Sequence, residues 1–120
     1  MASGSRMDGN GNYVFWDWPA ANVDAVVYLP PAGDKMRWVI SQVDFGFDAI
    51  PASPVDLEYQ LAAQTANWKV PVDDSGPRTW RPAGQVVGGE PNASVTIKLP
   101  AGGAAVTGKL NVLCKKDFAP

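Results

Sequence analysis

Asp44 and Asp48 flank Phe45, Gly46 and Phe47. Two carboxylates hydrolyse a glycosidic bond with retention when they stand about 5 Å apart. On a strand these two share a face but lie roughly 13 Å apart. They therefore read as solvated strand-end acids. Asp73 and Asp74 precede Ser75-Gly76-Pro77 in a turn that could offer oxygens to Ca²⁺. A hard cation takes about six to eight oxygen ligands, more than the local sequence supplies, so an unbound turn is expected. Arg78, Trp80 and Arg81 place an aromatic between two cations, a pattern that can stack on a sugar or hold an anion. Against this stands a core Trp80 with its arginines in water. The segment YVFWDW, residues 13–18, puts Tyr13, Phe15 and Asp17 on one face and Val14, Trp16 and Trp18 on the other. It is either an edge strand closing a sandwich or an anchor that inserts Trp16 or Trp18 into a partner, since aromatics dominate interface hot spots.

Other chemistry is excluded more firmly. The chain has no histidine, which removes Ser-His-Asp and Cys-His catalysis and the common zinc sites. Its single cysteine, Cys114, cannot close an internal disulfide and reads as a small buried apolar residue. Gly88-Gly89 and Gly102-Gly103 lie between strand-like runs, so no phosphate cradle is indicated. Asn92-Ala93-Ser94 fits a glycosylation sequon, and with no secretory signal it reads as accidental. No catalytic residue, cofactor or metal is expected.

Composition narrows the class. One domain fits 120 residues, and 46% hydrophobic with 18% charged residues is globular rather than disordered. A net charge of −2 disfavours nucleic acid, and no apolar run is long enough for a membrane helix. Five tryptophans are a rich supply for this length. Lectin-like sandwiches bind sugars with exposed tryptophans, although large aromatics in a small β core are the commoner explanation.

These residues must be positioned by strands. Residues 35–48, KMRWVISQVDFGFD, form the best strand, rich in aromatic and β-branched residues and free of proline. Its alternation changes phase midway: Met36, Trp38 and Ile40 share one face, and Val43, Phe45 and Phe47 the other. That predicts a bulge at Ser41-Gln42 or burial on both faces at different points. Further strands are expected over 13–18, 22–29, 55–61, 68–72, 85–87, 93–99 and 105–114. Turns at Pro31-Ala-Gly-Asp34, Asp73 to Pro77 and PAGGA, 100–104, separate several of them. The last two strands are expected to pair as a hairpin across PAGGA. Residues 1–12 read as a flexible, Gly-rich arm (a disordered tail, or a segment that orders against a neighbouring subunit), and 13–120 as one domain. The fold class is all-β, an antiparallel β-sandwich of jelly-roll type with about eight strands.

The run GGEPNASVTIKLPAGGAAVTGKLNVLCKK, 88–116, resembles the C-terminal segment of small β-sandwich structural proteins of tailed bacteriophages, and WVISQVDFGFDAIP, 38–51, is similar to their long strand and following loop. The resemblance spans residues 38–115 and rests on turn and strand patterns. It implies a non-enzymatic virion component: a capsid decoration (cement) protein, trimeric, held on the major capsid protein and bridging capsomers. The interface residues would then be Phe15, Trp16 and Trp18 at the arm and Arg78, Trp80 and Arg81 at a loop. The competing expectation is a glycan-binding or host-attachment module of a tail fibre, motivated by the tryptophans. A carboxylate-dependent hydrolase is the least favoured reading.

Overall fold

A computed structural model describes residues 2–7, 11–61, 68–81, 86–87 and 92–118. The strands are β1 (Ala2–Met7), β2 (Asn12–Trp18), β3 (Ala25–Leu29), β4 (Met36–Phe47), β5 (Val55–Leu61), β6 (Trp68–Val72), β7 (Gly76–Trp80), β8 (Val86–Val87), β9 (Val95–Leu99) and β10 (Gly108–Phe118). Among the described residues there is no helix. One sheet runs β1-β2-β10-β4-β7, with β8 also on β4; the other runs β3-β9-β5-β6. Every pairing is antiparallel. The protein is a jelly-roll-like antiparallel β-sandwich. The strands beyond the eight expected are β1 and β7.

Strand β4 explains the change of phase. Its partner β10 pairs Leu113 with Gln42 and then Cys114 with Ile40, so Ser41 is the extra residue of a β-bulge. The bulge restores the inward direction after one skipped position. Trp38 and Ile40 before it, and Val43, Phe45 and Phe47 after it, all enter the same core. Facing them are Val27 and Leu29 of β3, Leu57 of β5, Val72 of β6 and Val95, Ile97 and Leu99 of β9. Leu110, Val112 and Cys114 complete the floor from β10. Each fully buried Leu- or Ile-sized side chain contributes about 1.5–3 kcal/mol.

Three expectations are corrected. First, β9 and β10 do not form a hairpin. β9 pairs with β3 and β5, while β10 pairs with β2 and β4 in the opposite sheet. Residues 100–107 form an arch between the layers, tied down by its neighbours. Ala101 N donates to Asp24 Oδ1 at 2.7 Å, Ala52 N to Gly102 O at 2.7 Å and Asn22 N to Val106 O at 2.9 Å. Gly103 at φ 116° supplies the left-handed step that such a bend needs. Second, β2 is not an edge strand, because β1 flanks it on one side and β10 on the other. Third, residues 2–7 of the segment read as a flexible arm form β1, in register from Ala2↔Trp18 to Met7↔Tyr13. The hairpin expected between β5 and β6 has its connection at 62–67, outside the described residues.

Candidate functional site

The outer face of the larger sheet collects the polar and aromatic residues that the core does not use. Strands alternate, so the inward Leu110 and Val112 leave Lys109, Asn111 and Leu113 facing out. The register then sets out a row across five strands: Gly4 opposite Trp16, Trp16 opposite Asn111, Asn111 opposite Asp44, and Asp44 opposite Thr79. Trp18 flanks this row on one side, and Gln42 and Arg81 on the other.

Trp16 and Trp18 stand on this face with ring centroids 6.1 Å apart and planes inclined at 34°. Trp18 is 39% exposed. Its Nε1 donates to Asn111 Oδ1 at 3.1 Å, and Lys109 Nζ lies 5.5 Å from its ring centre. These two contacts hold the indole against the sheet while leaving much of the ring in water. The Trp16 indole lies across β1, where a Cβ on Gly4 would come within 2.8 Å of Cζ2. Glycine is what lets the ring cross there.

A chain of side chains fixes the acid at the centre. Arg81 Nε donates to Gln42 Oε1 at 2.8 Å, and Gln42 Nε2 donates to both oxygens of Asp44 at 3.0 Å. Thr79 Oγ1 donates to Asp44 Oδ1 at 2.7 Å. An ionised carboxylate accepts about four hydrogen bonds, so Asp44 keeps capacity for an incoming hydroxyl. Beside it a groove of about 640 Å³ runs over Gly46, between Asp48, Thr107 and Lys109 on one wall and Ser75 and Pro77 on the other. A Cβ on Gly46 would meet the Gly76 carbonyl oxygen and stand 3.1 Å from Pro77 Cα, so glycine is needed for β7 to close in over this floor. Asp48 and Thr107 seal one end reciprocally: Asp48 N donates to Thr107 O at 3.0 Å and Thr107 N to Asp48 Oδ1 at 2.7 Å.

The six interface residues expected from sequence divide. Trp16 and Trp18 lie together on the outer face. Phe15 points the other way and packs against the core, its ring 5.7 Å from Trp38 in an edge-to-face contact. Trp80 also packs against the core. Arg78 shares the inner side of β7, with ion pairs of 3.6 Å to Asp73 and 4.0 Å to Asp74 that brace the turn. Arg81 is on the outer face. Residues 78–81 are therefore no stacking loop. All but Arg81 belong to β7, whose alternation sends Trp80 and Arg78 one way and Thr79 the other. Asp44, Thr79, Lys109 and Asn111 were not singled out as a group, because the register that joins them is set between strands far apart in the chain.

No metal site emerges: among the described residues no cluster of three or more acidic or cysteine side chains could hold an ion. Cys114 is fully buried, and burial pushes its thiol up to about 12. It takes no part in the outer face.

No protein-family model matches the chain, and no curated protein matches it. Solved structures of similar outline include the CBM36-1 domain of a multidomain xylanase from the hindgut metagenome of Trinervitermes trinervoides. It has 9% identity and a TM-score of 0.47, over 100% of this chain and 92% of that one. A carbohydrate-binding module CBM36 in complex with calcium and xylotriose has 6% identity and a TM-score of 0.43, over 98% and 93%. The coat protein dimer of Tobacco streak virus has 10% identity and a TM-score of 0.33, over 92% and 88%. Such values describe a shared outline, and no residue role is carried over from these structures.

Proposed function

We propose that this chain is a non-catalytic binding domain that takes a carbohydrate on the outer face of its larger sheet. The observation that carries the reading is the pairing of Trp18 with Asn111 and Lys109 at the rim of the groove over Gly46. A sugar ring presents an apolar face of C–H bonds and a rim of hydroxyls. The indoles of Trp18 and Trp16 suit the first, and Asp44, Asn111, Thr79 and Lys109 suit the second. Pre-formed polar groups beside an apolar platform are the usual build of a small-molecule site. The absence of histidine and the separate engagement of Asp44 and Asp48 by their neighbours favour binding over turnover.

A glycan array followed by calorimetry tests this. The expected result is binding of a neutral oligosaccharide that Trp18→Ala weakens at least tenfold, while Trp80→Phe, altered on the other side of the sheet, leaves it intact. An array without hits sinks the proposal.

A second reading keeps the same face and changes its partner. The resemblance of residues 38–115 to phage sandwich proteins favours a capsid decoration protein that seats Trp16 and Trp18 on the major capsid protein. Co-sedimentation with undecorated shells, lost in Trp16→Ala/Trp18→Ala, would favour that role over the glycan.

A further inference from the structure

We infer that β1 is a docking edge for the β1 strand of a second copy of this chain. An open sheet edge presents unpaired N–H and C=O groups, and natural proteins blunt such edges with proline, charge or a covering group. Among the described residues, three of the five edge strands carry a proline or a capped N–H. β7 contains Pro77 and β6 contains Pro71. On β3, the Val26 N–H is taken by Asp17 Oδ2 at 2.8 Å. β1, ASGSRM, has no proline and no bulge against β2, and among the described residues it is paired on one side alone. Arg6 is its single charged residue.

The strand can pair with its own copy in a register centred on Gly4. A two-fold axis perpendicular to the sheet keeps the outer face on one side and pairs residues whose numbers sum to an even value. Centring on Gly4 sets Gly4 against Gly4 of the second copy, Ser3 against Ser5, and Ala2 against Arg6. No like charges face each other, and both serine pairs are uncharged. The glycine at the axis has a further consequence. Each Trp16 indole already lies over its own Gly4, so the two rings flank the axis, their Cα atoms three strand spacings, roughly 14 Å, apart. The two outer faces become one continuous surface with isologous symmetry. This inference stands whether or not that surface takes a glycan, whereas the trimer that the phage resemblance implies would overturn it.

Light scattering across a concentration series reads the mass. The expected value is twice the 12.7 kDa of the chain. Register is read by mixing Ser3→Cys with Ser5→Cys under mild oxidation. Directly opposed residues on antiparallel strands stand about 4.5–5.5 Å apart at Cα, within disulfide reach. The mixture should cross-link and each variant alone should not. As a check that survives failed oxidation, Ser3→Lys/Ser5→Lys should dissociate the dimer by opposing like charges, and Ser3→Lys/Ser5→Glu should restore it. A monomer at the highest soluble concentration, a trimer, or a dimer indifferent to these charges overturns the inference.

Discussion

Asp17 Oδ2 accepts the backbone N–H of Val26 at 2.8 Å, so a carboxylate at the end of β2 in one sheet caps the border of β3 in the other. This bond joins the two layers and closes an edge beside the exposed Val26 and Tyr28. Removing it leaves a donor on an open strand next to apolar side chains. Asp17→Ala is expected to lower stability by about 1 kcal/mol, the modest net worth of a hydrogen bond near solvent. Urea melts check the loss. Asp17→Asn, which keeps an acceptor, should recover much of it.

The bulge at Ser41 lets two halves of β4 with opposite alternation serve one core. Deleting Ser41 would turn Trp38 and Ile40 outward or force Val43, Phe45 and Phe47 out instead. Exposing two such side chains costs about 3–6 kcal/mol, a large part of the 5–15 kcal/mol that holds a domain together. The deletion variant should therefore lose cooperative unfolding in circular dichroism. Ser41→Thr, which keeps the residue count, should stay folded.

Gly46 forms the groove floor where β7 crosses closest. Gly46→Ala sets a methyl against the Gly76 carbonyl, so the strands must part. The expected cost is about 1–3 kcal/mol, in line with other overpacked sites. Thermal melts give that cost. The same variant should weaken glycan binding, because the added methyl stands in the floor of the groove.

Cys114 makes stability depend on pH in the alkaline range. Burial pushes its thiol from an ordinary 9.0 up to about 12. Below pH 9 both folded and unfolded chains hold the proton, and the contribution is fully present. Between pH 9 and 12 the unfolded chain releases it and the folded chain does not. Stability should then fall by about 1.4 kcal/mol per pH unit. Comparing urea midpoints of the native protein and Cys114→Ala from pH 8 to pH 11 isolates this slope from other titrating groups. The thiol should also resist alkylation at pH 8 until denaturant is added.

Much of the layer structure is readable from the chain, because alternation reports which side chains face a core. β4, β5, β6 and β9 fall close to where pattern and turn residues put them. The error over β9 and β10 shows the limit of that signal. Two strands that face each other across a core alternate just as two strands paired side by side do. The distinction lay in the connection: residues 100–107 are longer than the usual two to five of a hairpin loop, roughly speaking, and begin at Pro100. The outer face was legible only in part. Trp16 and Trp18 stood out by type and shared parity. Asp44, Thr79, Lys109 and Asn111 gained meaning only from register, which depends on pairings that no local stretch encodes. Trp80 packs against the core, as one of its two readings has it, while the loop expected around Arg78 is strand β7, which Pro77 and the flanking turn hide in the sequence.

Trp18 and Asn111, hydrogen-bonded neighbours, are 93 residues apart in the chain. During synthesis the aromatic β2 thus emerges long before β10, the strand that separates it from β4. Until then the nascent larger sheet lacks its middle, and its tryptophans have only the short β1 for company. Closure of the larger sheet should consequently wait until β10 has been made and is free to pair, rather than proceed piece by piece along the chain.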